Sequence, residues 1–476
     1  YSYATSIVSW KKYQSDGNGQ YILMNDYIYY YNNETKQMNP LCSKANCLHD
    51  MENDKERRVD CNAYLNRGGD EKKNALRNLF KNSKVAFIYG AAGTGKSTMI
   101  NYISSLFKDK QKIFLANTNP AVENLRRKVT AEHAEFVTIT KFLSKDVSND
   151  CDILCLDECS TISNRDMVRV LQRAQCKLLV LVGDIYQIES ILFGNWFNIA
   201  YKVMPKDSVA ELTRPHRTTV QGLIEVWNKV REITEDRLEF ITRNGLSSTL
   251  DESIFSRTEE DEIVLCLNYD GIYGINNINK FLQSNNVNPS INWGVLSYKV
   301  GDPVLFNESN RFAPLVYNNL KGKILQIEEE EDCIYFTIEV YTVLNELDVI
   351  GFDLELKESV TDETSVIRFK VGRGGDGNDD NDNVENVVPF QVAYAISIHK
   401  AQGLEYESVK VVITSEIEEM VSHNIFYTAI TRAKSKLKIY WSPETEKRIL
   451  ENMKVQFNDK DYQLFKAKYK EALLKS

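Results

Sequence analysis

The chain has 476 residues, too long for one ordinary domain and enough for roughly two to four with hydrophobic cores of their own. Hydrophobic residues make up 43% and charged residues 26%, and no apolar run approaches the ~18 residues a membrane helix needs, so a helical membrane protein is excluded and a soluble, cytoplasmic one is expected. The net charge of -9 is the wrong sign for a chain that coats itself with nucleic acid by global attraction, so any such site must be a local channel.

Residues 1–70 read as a module of their own. Residues 21–31 are rich in tyrosine and isoleucine, with Asn32-Asn33 after them as a turn signal, which predicts one or two strands. Cys42, Cys47, His49 and Cys61 follow. Three thiols and an imidazole are ligands zinc prefers; at this non-standard spacing the alternatives are a disulfide or unpaired thiols. The cysteine-bearing stretch from 41 to 65 resembles segments of bacterial extracytoplasmic β-propeller proteins, which marks the module as a foreign fusion or a gene-model artefact. The chain opens on Tyr1 instead of methionine, so a preceding portion with further domains is expected. The other cysteines (Cys151, Cys155, Cys159, Cys176, Cys266, Cys333) sit in or beside apolar runs, as small buried hydrophobes of a reducing compartment do.

From residue 71 the pattern alternates strands and helices. The apolar run 85–88 predicts a buried strand, and Gly90-Ala91-Ala92-Gly93-Thr94-Gly95-Lys96-Ser97 after it fits G-x-x-x-x-G-K-[ST] at every fixed position. Met99, Ile100, Ile103, Leu106 and Phe107 then recur at helical spacing. In that strand-loop-helix context, backbone N–H groups and a helix N-terminus cradle a triphosphate. Gly90, Gly93, Thr94, Gly95, Lys96, Ser97 and Thr98 are the expected contacts, with the Ser97 hydroxyl turned to Mg²⁺. ATP and Mg²⁺ are the expected cofactors.

A second strand at 113–116 runs into Asn117 and Thr118, then a helix bearing Asn124 with Arg126, Arg127 and Lys128 behind it. Such a turn holds a phosphodiester backbone or is an ordinary strand-to-helix connection with a solvated basic face. A third strand at 152–156 ends in Asp157-Glu158, where paired carboxylates place a magnesium ligand (Asp157) and a water-activating base (Glu158). A fourth at 178–182 is followed by Gly183-Asp184-Ile185-Tyr186-Gln187, whose amide both donates to and accepts from an attacking water.

P-loop, Asp-Glu pair and Gly-Asp-x-x-Gln, in this order, resemble superfamily-one helicases. Downstream motifs of that family are present. Residues 212–217 (Leu-Thr-Arg-Pro-His-Arg) resemble the fourth motif, which implies that Arg217 reaches the γ-phosphate from a second domain. Residues 397–405 (Ser-Ile-His-Lys-Ala-Gln-Gly-Leu-Glu) resemble the fifth, implying strand contact by His399 and a nucleotide-side role for Gly403. Residues 427–433 resemble the sixth, with Arg432 as a second arginine finger. The segment 138–143 resembles the short threonine-bearing motif, which makes Thr140 a strand contact and Phe142 a base-stacking ring. The implied catalytic set is Lys96, Glu158, Gln187, Arg217 and Arg432, and the implied strand contacts are Asn117, Thr118, Asn124, Thr140 and His399.

Residues 300–306 and 317–324 resemble the small β-barrel that the RecD-like branch inserts into its second RecA-like domain. The expected architecture is α/β: RecA-like P-loop domains at 71–212 and at 213–299 with 385–445, each with a parallel sheet. A β-barrel insert is expected at 300–371, a solvated acidic loop at 372–386 and C-terminal helices at 446–476. Residues 390–396 are expected to return to the second parallel sheet. The resemblance implies an ATP-dependent helicase and translocase moving 5′ to 3′ on single-stranded DNA, with RNA left open. The alternative is a nucleic-acid-sensing regulatory ATPase, as in antiphage proteins, that binds without unwinding.

Overall fold

The computed structural model describes residues 11–15, 19–24, 27–32, 34–36, 38–40, 84–91, 93–144, 149–188, 195–213, 217–307, 311–312, 315–359, 361–373, 386–454, 462–464 and 466–468. Cys42, Cys47, His49 and Cys61, proposed as zinc ligands, lie outside them, as do residues 374–385 of the acidic stretch. Among the described residues the first module is a four-stranded antiparallel sheet, Lys11–Ser15, Gly19–Met24, Tyr27–Asn32 and Met38–Pro40 in chain order. The tyrosine-rich stretch thus supplies two of its strands. Among the described residues no helix is long and apolar enough to cross a membrane.

The chain divides into two compact units after Arg217; from Gln456 it belongs to the first unit again, where the Lys202 ammonium lies 5.4 Å from the centre of the Tyr462 ring. The first unit is built on a parallel sheet whose described strands run in the order Val209–Leu212, Val85–Gly90, Gln175–Gly183, Asp150–Leu156, Lys112–Ala116, Ala134–Thr138. These strands are near-continuous apolar runs because helices cover both faces. Met99, Ile100 and Ile103 of the helix Lys96–Leu106 pack on one face, and Phe142, Met167, Val170 and Phe197 on the other. Lys112 opens a strand buried along its whole length, and its ammonium donates to the carbonyls of Lys108 (3.1 Å), Lys110 (2.7 Å) and Glu132 (2.9 Å), which makes its burial tolerable. Parallel pairing aligns Tyr89 with Gly183 and Leu156 with Leu181, so the loops after Gly90, Leu156 and Gly183 leave the same edge of the sheet. Ligands of open α/β sheets bind at that edge.

The second unit holds a parallel sheet in the order Ser247–Ser248, Ala433–Tyr440, Tyr406–Val412, Glu262–Cys266, Ala395–Ser397 among the described residues. A buried ion pair, Lys410 to Glu262 at 3.0 Å, ties two of these strands, and the Ser408 and Thr258 hydroxyls donate to the other Glu262 oxygen. Both units are RecA-like in this sense: a parallel sheet with strand ends gathered at one edge.

The insert in the second unit is a hairpin, Ser290–Trp293 with Leu296–Lys299, and an antiparallel sheet. The described strands of that sheet run in the order Glu355–Lys357, Ser365–Gly372, Cys333–Val340, Lys321–Glu329, Pro303–Phe306, Phe390–Val392. Phe369 and Phe390 sit on strands four places apart, about 19 Å in a flat sheet at ~4.8 Å per strand. Their ring centroids are 6.3 Å apart, so the sheet is rolled up as a small barrel around its phenylalanines. The expectation for residues 390–396 is corrected here: Phe390–Val392 pairs with Pro303–Phe306 in the insert, and only Ala395–Ser397 joins the parallel sheet. Pairing of Phe390 with Phe306 delivers a ring to the insert core, which outweighs continuing one straight strand.

Asp302 fastens the insert to its unit. Its fully buried carboxylate accepts from Gln283 Nε2 (2.6 Å), Asn286 Nδ2 (2.9 Å), Lys299 N (2.9 Å) and the Tyr394 hydroxyl (2.8 Å). Asp302→Ala strands these donors in a dry site and is expected to destabilise the second unit by about 3–5 kcal/mol. Amide hydrogen exchange should show it as lost protection in 303–306 and 390–397, with protection in the sheet of the first unit retained; unchanged protection in the insert contradicts the fastening role.

Candidate functional site

The glycine loop after Val85–Gly90 takes its shape from backbone torsions that side chains resist. Gly93 (φ +76°) and Gly95 (φ +84°) are left-handed, and a Cβ on Gly93 would also overlap that of Arg217. Thr94 is buried and braces the loop, its hydroxyl donating to Ala91 O at 2.9 Å. The helix starts at Lys96 with Gly95 as its N-cap and no side chain capping it, so its first N–H groups face the loop. The Lys96 ammonium folds over the same loop, donating to the carbonyls of Gly90 (2.8 Å) and Ala91 (3.0 Å). Ser97 is half-buried on the first helical turn, and Thr98 beside it is exposed.

Asp157 and Glu158 leave the end of the strand Asp150–Leu156, two places along the sheet from Val85–Gly90. Asp157 is buried, and one of its oxygens accepts the Glu158 N–H at 2.9 Å. Burial first, then the Glu158 charge, pushes the Asp157 carboxyl up to about 7, while Lys96 pulls it down. Glu158 is held left-handed (φ +51°), its carbonyl accepting both the N–H and the hydroxyl of Thr161 at 2.9 Å. Its Oε2 is buried with no hydrogen-bond partner among the described residues. From the strand between these two, buried Asp184 accepts the Tyr186 N–H at 3.0 Å and its carbonyl accepts the Gln187 N–H at 3.3 Å, a tight turn that presents Gln187. Asp184 received no role from the motif alone; an acid two residues before an N–H it can cap is the signal that would have found it.

Arg217 belongs to the first unit and lies beside Gly93, whereas the fourth-motif resemblance implied a second-domain origin. The strand Val209–Leu212 pairs with Val85–Gly90, and this carries the following segment to the P-loop. Arg432 lies in the second unit, buried, with Nε donating to Thr428 O (3.0 Å) and Nη1 to Leu404 O (3.1 Å). Gly403, left-handed at φ +81°, makes the turn that precedes Leu404.

Residues 68–251 match the AAA domain family, and residues 392–440 match the UvrD-like helicase C-terminal domain. The first match covers the P-loop sheet and runs on past Arg217 to residue 251, and the second falls on the stretch containing His399, Gly403 and Arg432. Both matches are consistent with the superfamily-one, RecD-like resemblance of the motifs. Among its relatives is the uncharacterized protein MJ1519 of Methanocaldococcus jannaschii, 24% identical over 84% of this chain and 40% of that protein. The RecBCD enzyme subunit RecD of Mycolicibacterium smegmatis is 21% identical over 82% of this chain and 74% of its own. The ATP-dependent DNA helicase Pif1 of Campylobacter jejuni is 23% identical over 74% and 88%. The chain thus spans less than half the length of the archaeal relative.

The expected strand contacts do not gather as evenly as the residues expected around a nucleotide do. Asn117 is exposed but its amide donates to Thr161 O at 2.9 Å, and Thr118 caps the helix Asn119–Lys128 by accepting the Ala121 N–H at 3.4 Å. Asn124 is half-buried on that helix, Thr140 is exposed, and His399 is exposed in the second unit. Phe142 is a correction: it is fully buried, with the Arg173 guanidinium 5.6 Å from its ring centre, and offers no face to a base. In the helix Ile139–Leu143 the i, i+3 pair Ile139 and Phe142 shares the core-facing side, which leaves Thr140 outward.

Proposed function

We propose that this chain is an ATP-dependent DNA helicase and translocase that moves 5′ to 3′ on single-stranded DNA. The observation that carries the reading is the Glu158 carboxylate, with one oxygen buried and unpaired beside Asp157 on the strand edge that bears the P-loop. Leaving such an oxygen unpaired costs about 1–3 kcal/mol, a cost that a general base justifies. Relatives named RecD and ATP-dependent DNA helicase Pif1 support DNA as the track.

The Ser97 hydroxyl and the Asp157 carboxylate are the oxygen donors magnesium prefers, and burial that raises the Asp157 pKa is what an adjacent cation reverses. Mg²⁺ supplies charge neutralisation across the β- and γ-phosphates of ATP when bound there. Lys96 exchanges its two loop carbonyls for phosphate oxygens. Glu158 accepts a proton from the attacking water, whose oxygen bonds to the γ-phosphorus as the bond to the β–γ bridging oxygen breaks and ADP leaves with that electron pair. Gln187 orients the water, and the Arg217 and Arg432 guanidinium groups stabilise charge on the γ-phosphoryl oxygens. Asn117, Thr118, Asn124, Thr140 and His399 grip the strand, and hydrolysis alternates that grip.

ATP turnover measured without nucleic acid, with single-stranded DNA and with single-stranded RNA, each at two salt concentrations, tests this. Strong stimulation by DNA that weakens with salt is expected, because phosphate contacts release counterions. A rate that DNA leaves unchanged rejects it. The N-terminal four-stranded sheet, which lies outside both family matches, favours a sensing ATPase as the second reading. Hydrolysis stimulated by DNA without strand displacement selects that one.

A further inference from the structure

The hairpin Ser290–Trp293 with Leu296–Lys299 closes on Gly294, left-handed at φ +62°, and Val295, so Trp293 and Leu296 flank a two-residue turn and share its hydrogen bonds. Antiparallel pairs alternate, and the main-chain groups of Ser290 and Asn292 on one strand, and of Ser297 and Lys299 on the other, therefore point out of the ribbon. On the second strand these groups are spent inside the chain. Ser297 O accepts Gln283 Nε2 at 2.8 Å, Lys299 N donates to Asp302 Oδ2 at 2.9 Å, and Lys299 O accepts the Asp302 N–H at 3.1 Å. On the first strand, the outward N–H and C=O groups of Ser290 and Asn292 have no hydrogen-bond partner among the described residues, and no further described strand lies beside them. One edge of the hairpin is sealed and the other is open.

Elsewhere the insert protects its margins. Where it joins the rest of its unit, the Lys321 ammonium clamps it, donating to Asp261 Oδ1 at 2.7 Å and to Glu405 O at 3.2 Å. The strand Glu355–Lys357, at one edge of the larger sheet, is short and carries an ion pair of its own, Lys357 to Glu355 at 2.8 Å, and charge on an edge discourages pairing with another chain. The open hairpin edge has no such guard. Residues 281–298 contain no Asp, Glu, Lys or Arg, in a chain that is 26% charged. Val287 and Val295, on either side of the strand Ser290–Trp293, are almost wholly exposed, and Leu296 is exposed as well. Unpaired main-chain groups on an uncharged edge flanked by bare apolar side chains form a template for one more strand.

We propose that this edge joins two copies of the chain, the strand Ser290–Trp293 pairing antiparallel with the same strand of a second copy about a two-fold axis at Ile291. The edge is complementary to itself. In that register each Ser290 stands opposite Asn292 of the second copy, and the two residues whose groups point outward exchange N–H···O=C bonds. The Val287 end of each copy then lies beside the Val295 end of the other, so the exposed valines cover one another. No charge along either edge opposes the approach. The contact is small, so the association is expected to be weak and reversible, with a Kd on the order of 10 µM.

Sedimentation velocity of the full chain between about 1 and 100 µM, without nucleotide or nucleic acid, tests this. Wild type is compared with two double variants, Ser290→Lys with Asn292→Lys and Ser290→Glu with Asn292→Glu, each alone and in an equal mixture. Ser290 and Asn292 are both exposed, so the substitutions disturb no packing. Wild type is expected to shift from monomer to dimer across the range. Each variant alone sets like charges opposite one another, which is expected to raise the Kd at least about tenfold, and the mixture sets lysine opposite glutamate, which is expected to bring association back to the wild-type range or tighter. Recovery on mixing also shows that both variants are folded. Wild type that stays monomeric at every concentration overturns the proposal, as does a dimer that both variants retain. A mixture that associates no better than either variant alone overturns it too.

Discussion

Lys96→Ala is expected to lower kcat/KM for ATP by about 10³-fold or more, effectively to background. The ammonium is the cation carried by the P-loop itself, seated at the N-terminus of the helix Lys96–Leu106 and donating to Gly90 O and Ala91 O. Alanine removes a charge that phosphate would otherwise meet in a partly buried setting, where its attraction is screened less than at an open surface. It also leaves two loop carbonyls without their donor. The loop backbone is set independently by Gly93, Gly95 and the Thr94 hydroxyl, so the fold should survive with a melting shift of only a few degrees. Steady-state turnover together with a thermal melt checks this. Wild-type-like turnover in the variant removes the P-loop assignment.

Glu158→Gln separates chemistry from binding. The amide matches the carboxylate in shape, and the left-handed backbone that Thr161 pins is untouched, so affinity for Mg²⁺ and ATP is expected to stay within about threefold while kcat falls about 10²- to 10⁴-fold. The sign of any change in binding is informative. The Glu158 charge raises the Asp157 pKa, so its removal leaves more of Asp157 ionised at neutral pH and metal binding slightly stronger. Nucleotide binding by equilibrium fluorescence beside single-turnover hydrolysis separates the two quantities. Weakened binding with unchanged chemistry assigns Glu158 a folding role instead.

Much of the geometry of the candidate nucleotide site was legible from residue order. Gly90 to Ser97 occupy a strand-loop-helix whose geometry is local, and Asp157-Glu158 and Gln187 follow strands whose apolar runs announce a sheet covered on both faces. Parallel pairing then brings those three loops to one edge, so correct strands were enough to imply the site. The strand contacts were less legible. Asn117 and Thr118 carry hydrogen bonds of their own turn, and a motif does not tell a capping threonine from a phosphate-gripping one, because both use the same hydroxyl in the same place.

Local geometry was settled by the chain's own order of residues: which loop takes the P-loop shape, which carboxylates stand together, which segments alternate as strands. These depend on neighbours a few residues apart, whose spacing the backbone converts directly into geometry. Other features were settled only by folding: the burial of Phe142, the transfer of Phe390–Val392 to the insert sheet, the membership of Arg217 in the first unit, the clamp of Lys321 on Asp261 and Glu405. Lys321 and its partners are 60 and 84 residues apart along the chain. Contacts at that separation follow from which faces pack together and how far a sheet curls, and no periodicity within either segment encodes them.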